Sequence, residues 1–150
     1  MAGRKDEQYK LVIKQAESLL QGEHDLIANM SNLVSLIFHT IPGLNGATYY
    51  RFVKGELILG PFQGKPACMH IAVGKGVCGK VAETKHPEIV PDVKKFSGHI
   101  ACDDASKSEI VIPVFQDSRF WGVLDLDSPD FNHFDQTDRL YLDKIAPLIF

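Results

Sequence analysis

Cysteine is scarce: the 150-residue chain has three. A small secreted disulfide scaffold would need more, in pairs, so thiols that start reduced in the cytoplasm are expected. There is no CxxC, and Cys68-Met69-His70 and His99-Ile100-Ala101-Cys102 lack zinc-site spacing. No structural metal and no cofactor are expected. No apolar run approaches the roughly 18 residues of a membrane span. The stretch Met1 to Lys10 is polar and has no apolar signal core. Net charge is -3, so there is no basic field to gather nucleic acid. Gly74-Lys75-Gly76-Val77-Cys78-Gly79 lacks the Gly-Lys-Ser/Thr ending of a phosphate loop.

What is present is an ordinary globular balance, 45% apolar and 23% charged, at a length that suits one domain over residues 1–150. Glu7 to Gln21 reads as a helix with Val12, Ala16, Leu19 and Leu20 on one stripe. A second helix carries Leu26, Met30, Leu33, Val34 and Ile37, and Pro42-Gly43 ends it. Short β-rich runs follow. Thr48 to Val53 and Glu56 to Leu59 flank a Lys54-Gly55 turn, Gly60 to Pro66 reads as a loop, and Ala67 to Val73 as a strand carrying Cys68. Val77 to Thr84 reads as a short helix with Cys78 in its first turn, where the helix dipole would make the thiol more acidic. Glu88 to Val90, Glu109 to Phe115 and Phe120 to Asp127 complete the strands, with Asp92 to Ser97 a turn. Asp135 to Asp138 opens a last helix that Pro147 bends or ends. Helices at both ends around a set of strands predict an α+β fold. Its antiparallel sheet carries the terminal helices on one face and the loops with the short helix on the other.

Two constellations carry chemistry. Cys102 lies in the loop Gly98-His99-Ile100-Ala101-Cys102-Asp103, just before a strong strand, where a scaffold can hold a reactive group. In Trp121-Gly122-Val123-Leu124-Asp125-Leu126-Asp127, alternation places Trp121, Val123, Asp125 and Asp127 on one face, with Leu124 and Leu126 on the other. Glu109 opens the preceding strand. Three carboxylates at one sheet end suit an ammonium group or a proton held for transfer. Register decides whether they meet. A two-residue loop, Asp117-Ser118, puts Glu109 opposite Leu126. A three-residue loop, or a bulge that restores its phase, puts Glu109 opposite Asp127 and Val111 opposite Asp125, with the aliphatic residues together behind. The hydrophobic pattern requires the second. One of Glu109 and Asp127 should then hold its proton above the usual carboxylate range.

Leu59 to Lys65, Gly74 to Gly79, Gly98 to Asp103, Ser106 to Val111 and Gly122 to Ser128 resemble the free methionine-(R)-sulfoxide reductases, which are GAF-domain enzymes, and the resemblance covers essentially the whole chain. It implies a six-stranded antiparallel sheet, a homodimer, reduction of free L-methionine (R)-sulfoxide and thioredoxin as electron donor. By position Cys102 corresponds to the nucleophile, Cys68 to the principal resolving thiol and Cys78 to a third thiol that joins recycling in some members. Glu109, Asp125 and Asp127 correspond to pocket carboxylates and Tyr50 to an aromatic pocket residue. The family usually has Trp after the Asn preceding the first strand, whereas this chain has Gly46, and Tyr49 or a residue from elsewhere is expected to fill that space. The rival class is a GAF module that binds a small ligand without catalysis, and a lone chain without an output domain argues against it.

Overall fold

The computed structural model describes residues 2–100, 102 and 104–150, so Ala101 and Asp103 of the predicted cysteine loop lie outside the described residues. Helix α1 (Ala2–Leu19) and helix α2 (Leu26–Thr40) are followed by strands β1 (Gly46–Val53), β2 (Glu56–Gly64) and β3 (His70–Ala72). Helix α3 (Gly76–Thr84) and strand β4 (Glu88–Val90) lead through a 3-10 turn to β5 (Ser108–Gln116) and β6 (Arg119–Ser128). Helix α4 (Gln136–Ile145) and a closing 3-10 turn (Ala146–Ile149) end the described chain. The strands form one six-stranded sheet in the order β3-β2-β1-β6-β5-β4, every pairing antiparallel.

The two faces of the sheet are built for different purposes. Ala47 and Tyr49 of β1, Ile110, Ile112 and Val114 of β5, and Leu124 and Leu126 of β6 point one way. They pack on Tyr9, Val12 and Ala16 of α1, Met30, Leu33 and Ile37 of α2, and Leu142 and Ile145 of α4. The α1 stripe therefore runs through Tyr9, Val12, Ala16 and Leu20, and Leu19, expected on it, is half exposed. The intervening strand residues Tyr50, Val111 and Val123 point the other way, toward α3 and its buried Val77, Cys78 and Val81. The helical face buries the larger set of apolar side chains, and burial stabilises by about 25 cal/mol per Å² of apolar surface removed from water. It also leaves the α3 face free to hold polar groups.

The N-terminus of α4 is fixed by a capping box. Asp135 accepts from the backbone of Thr137 and Asp138, and Asp138 accepts from the Asp135 N–H. Asp138 is fully buried and accepts from Tyr9 Oη and Lys5 Nζ, each at 2.5 Å, which ties α1 to α4. Pro147 does end α4, in a 3-10 turn with the proline in its first positions, where no N–H is needed.

Three local expectations need correction. Gly60 to Pro66 is not a loop, because β2 continues to Gly64, paired with Gly46 of β1. Pro61 is accommodated there because β3 runs beside only Glu56 to Ile58, so its missing N–H breaks no outer ladder. Cys68 lies outside the strand, in the loop before β3. Trp121 is not on the face of Val123. Phe115 pairs with Phe120 and Val114 with Gly122, so Trp121 is the extra residue of a bulge. It turns to the helical side, edge-on to Tyr49 and Phe150.

That bulge settles the register. Gln116 pairs with Arg119 across the two-residue turn Asp117-Ser118, both residues at positive φ as a type I′ hairpin requires. The bulge then restores the phase, so Glu109 faces Asp127 and Val111 faces Asp125.

Candidate active site

Register and topology together assemble the pocket. Strand β6 lies between β5 and β1, with Asp127 between Glu109 and Gly46, and Asp125 between Val111 and Thr48. Glu109, Asp125 and Asp127 therefore project from the same end of the α3 face. Above them lies α3. A pocket opens between this sheet end, α3 and the loops before β3 and β5. Tyr50, Cys78, Cys102, Glu109, Asp125 and Asp127 all line it.

The cysteines divide into a pair and a single thiol. Cys68 and Cys102 form a disulfide with Cα atoms 5.6 Å apart. It links the loop before β3 to the loop before β5, and both half-buried residues stand beside the pocket. The Cys68 carbonyl accepts from the Tyr50 hydroxyl at 3.0 Å, so the floor of the pocket positions one end of the bridge. The Cys102 loop is held on α3 as well. The Gly76 N–H donates to the Gly98 carbonyl at 3.0 Å. Gly76 has φ of +63°, and a Cβ there would lie 3.3 Å from the Ile100 side chain. Only glycine meets both demands without strain.

Cys78 is the free thiol, buried in the first turn of α3. The expected acidification does not occur. Burial pushes its pKa well above the usual thiol value, and the charges of Asp125, Glu109 and Asp127 push it further. A helix N-terminus favours a thiolate, but desolvation and three neighbouring carboxylates outweigh the dipole. Its Sγ lies 4.0 Å from Glu109 Oε2.

The carboxyls behave as their crowding requires. Burial, then the charge of Asp125 and a hydrogen bond to it, holds Glu109 well above the ordinary carboxylate range. Asp125 is raised to about 8 by burial and by Asp127. Glu109 and Asp125 are each only 7% exposed. Asp125 Oδ1 is buried without a hydrogen-bond partner. Among the described residues, the lysines that line the pocket are Lys65 and Lys75, both exposed at its rim.

This predicts a stability effect with a definite sign. A carboxyl whose pKa is raised by folding stabilises most below its unfolded pKa, and that contribution is lost as pH rises through the folded value. Relative to Asp125→Asn, the ligand-free protein should therefore lose stability between pH 4 and 8. From pH 5 to pH 8 the stability difference should shift toward the variant by several kcal/mol, on the order of 10 °C in Tm. Thermal melts of both proteins at pH 5 and pH 8 check it. An equal difference at the two pH values would mean that Asp125 ionises as an exposed aspartate does.

All seven residues singled out from sequence reach this pocket or border it, Cys68 through the bridge. Tyr49 does not: it is fully buried on the helical side, its hydroxyl donating to the Ala146 carbonyl at 2.9 Å. It cannot fill the space beside Gly46, and Tyr50 is the tyrosine that lines the pocket. Gly46 itself lies against the acids, since a Cβ there would meet Asp127 Oδ2 at 3.1 Å. The sequence reading missed Asn45, Gln63, Lys65 and Lys75, which also line the pocket. They sit at strand ends and turns, where polar residues are the rule and carry no periodic signal. The histidine–cysteine set does not gather. Cys68 and Cys102 are bonded to each other, and His70 is exposed with its ring nitrogen 2.8 Å from Glu56.

Comparison with known proteins agrees with this geometry. The GAF domain family model matches residues 6–149. The chain is 46% identical to the free methionine-R-sulfoxide reductase of Saccharomyces cerevisiae, over 97% of this chain and 85% of that protein. The solved structure of reduced fRMsr from Staphylococcus aureus superposes with a TM-score of 0.90 at 48% identity, covering 94% of this chain and 92% of that one. A substrate complex of free methionine-R-sulfoxide reductase from Neisseria meningitidis gives a TM-score of 0.90 at 40% identity, covering 94% and 85%. With cysteines at a carboxylate-floored pocket and this degree of likeness along its length, the chain belongs to the free methionine-R-sulfoxide reductases, oxidoreductases of the GAF-domain family.

Proposed function

We propose that this enzyme reduces free methionine (R)-sulfoxide through a sulfenic acid on Cys102 and a Cys68–Cys102 disulfide, and that thioredoxin restores the dithiol. The observation that carries the reading is the bridge itself, which sits beside a pocket floored by Glu109, Asp125 and Asp127. The Cys102 thiolate attacks the sulfoxide sulfur while Glu109 delivers a proton to the sulfoxide oxygen. In the S–S-bonded adduct the hydroxyl then passes from the substrate sulfur to Cys102 Sγ as both the S–O bond and the new S–S bond break, so methionine leaves as a thioether and Cys102 is left as a sulfenic acid. The Cys68 thiol then displaces that oxygen as water and closes the disulfide. An external dithiol returns both cysteines to thiols by exchange and is itself oxidised. The net reaction transfers two electrons from the donor to the sulfoxide.

Each neighbour has a part in this scheme. Glu109 is buried and held protonated, as a general acid must be. Asp125 and Asp127 face the substrate ammonium, and Asp125 gives up its proton as the ammonium binds. Tyr50 supplies an apolar ring and, through the Cys68 carbonyl, positions the resolving cysteine. We further propose that the 150 residues form one GAF domain that acts as a homodimer in the cytoplasm. Among the described residues no helix is long and apolar enough to cross a membrane.

The division of labour between thiols is testable. Cys68→Ser should still form close to one equivalent of methionine per pre-reduced enzyme. Its turnover with thioredoxin and thioredoxin reductase should fall at least about tenfold, because the sulfenic acid lacks its partner. Mass spectrometry of the oxidised wild type should find the Cys68–Cys102 bridge. A Cys78–Cys102 bridge with none from Cys68 would transfer the resolving role to Cys78.

A further inference from the structure

Cys78 has no task in the scheme above, yet it is buried at the base of the pocket. One ligand atom each from Cys78, Glu109 and Asp125 lies within 4.8 Å of the other two, and all three residues are buried. An ammonium group needs carboxylates but has no use for a thiol. A thiolate with two carboxylates is a donor set for a borderline-soft divalent cation, above all zinc. Asp125 is 7% exposed and lines the pocket, and although its carboxyl is hydrogen-bonded to Glu109 and Cys78, its Oδ1 is buried without a partner of its own.

We propose that Cys78, Glu109 and Asp125 form a zinc-binding site at the base of the pocket, with the fourth position open toward the substrate space. In tetrahedral zinc, with Zn–S of about 2.3 Å and Zn–O of about 2.1 Å, ligand atoms stand roughly 3.5 Å apart. The longest of the three separations therefore needs to close by about 1.3 Å at most. On the functional reading above, zinc occupies the acid and the ammonium site together, so a bound ion inhibits.

The oxidised enzyme isolates this site, because the bridge removes Cys68 and Cys102 from the donor set. Zinc chloride titrated into oxidised, chelator-treated protein by calorimetry should saturate at one equivalent. Cadmium chloride as a second probe should give a thiolate-to-metal absorption band. Cys78→Ala should abolish that band, and both Cys78→Ala and Asp125→Asn should weaken zinc binding roughly tenfold or more. Circular dichroism verifies that each variant is folded, and either variant alone suffices as a test. No saturable binding, or affinity unchanged in a folded variant, would overturn the proposal. Activity enters none of these readouts, so an enzyme that reduces the sulfoxide but does not bind zinc disproves this site alone. The converse result, zinc binding without sulfoxide reduction, disproves only the functional reading.

Discussion

Cys102→Ser should yield no methionine from free methionine (R)-sulfoxide in a single turnover, a loss of about 10³-fold or more. Removing a nucleophile from a constellation that acts as a unit has costs of that size. Three facts isolate Cys102 for this role. It is on a loop held against α3 through Gly76 rather than in the core. It lines the pocket that the carboxyls floor. It is also bonded to Cys68, so a second thiol is within reach of any sulfenic acid formed on it. Cys78 is no substitute, because burial beside three carboxylates holds it as a neutral thiol, and the thiolate is the attacking form. The measurement is chromatographic quantification of methionine from pre-reduced protein without external reductant. One full equivalent from Cys102→Ser would move the nucleophile to another thiol.

Glu109→Gln should lower the single-turnover rate by about 10²- to 10³-fold, the usual size of a positioned acid's contribution. The sulfoxide oxygen is a poor leaving group until it is protonated. Glu109 can supply that proton near neutrality because burial and Asp125 hold its carboxyl well above the ordinary range. Glutamine keeps the shape and one hydrogen-bond donor but has no proton to give. The pH profile separates this from a merely structural defect. In the wild type the rate should fall on the alkaline side as Glu109 loses its proton, and in Glu109→Gln that alkaline limb should vanish. A variant that keeps the limb, or loses less than about threefold in rate, would assign the acid to another group.

Much of the architecture could be read from the chain because it rests on local periodicity. The α2 stripe, the alternating strands and the Asp135 start of α4 each follow from spacing within one element, and the structure places them as expected. The cross-strand meeting of Glu109 and Asp127 could also be read, since a slip of one residue would bury the acids among Ile110, Ile112 and Leu124. The errors lay where a neighbour overrides the local pattern. Pro61 is tolerated in β2 because the outer strand is short. Trp121 changes face because a two-residue turn and a bulge together keep the acids in phase. Tyr49, which the sequence offered as a pocket wall, is on the far side of the sheet, since β1 alternates and Tyr50 takes the pocket side.

The sequence by itself therefore determined the element order, the two-faced sheet, the grouping of the acids and the residue types of the site. Spacing alone does not say which thiols pair: the resemblance implied Cys68 with Cys102, and the tertiary structure brings those two together and leaves Cys78 as the free thiol. Cys68 and Cys102 are 34 residues apart in the chain, and their Cα atoms come within 5.6 Å only because two separate loops converge above the sheet. The state of Cys78 was decided there as well. Its place in a helix predicts an acidic thiol, but the three carboxylates that reverse this come from β5 and β6, at least 31 residues away. Periodicity is a property of neighbours along the chain, whereas desolvation and charge crowding depend on neighbours in space, which only the folded sheet brings together.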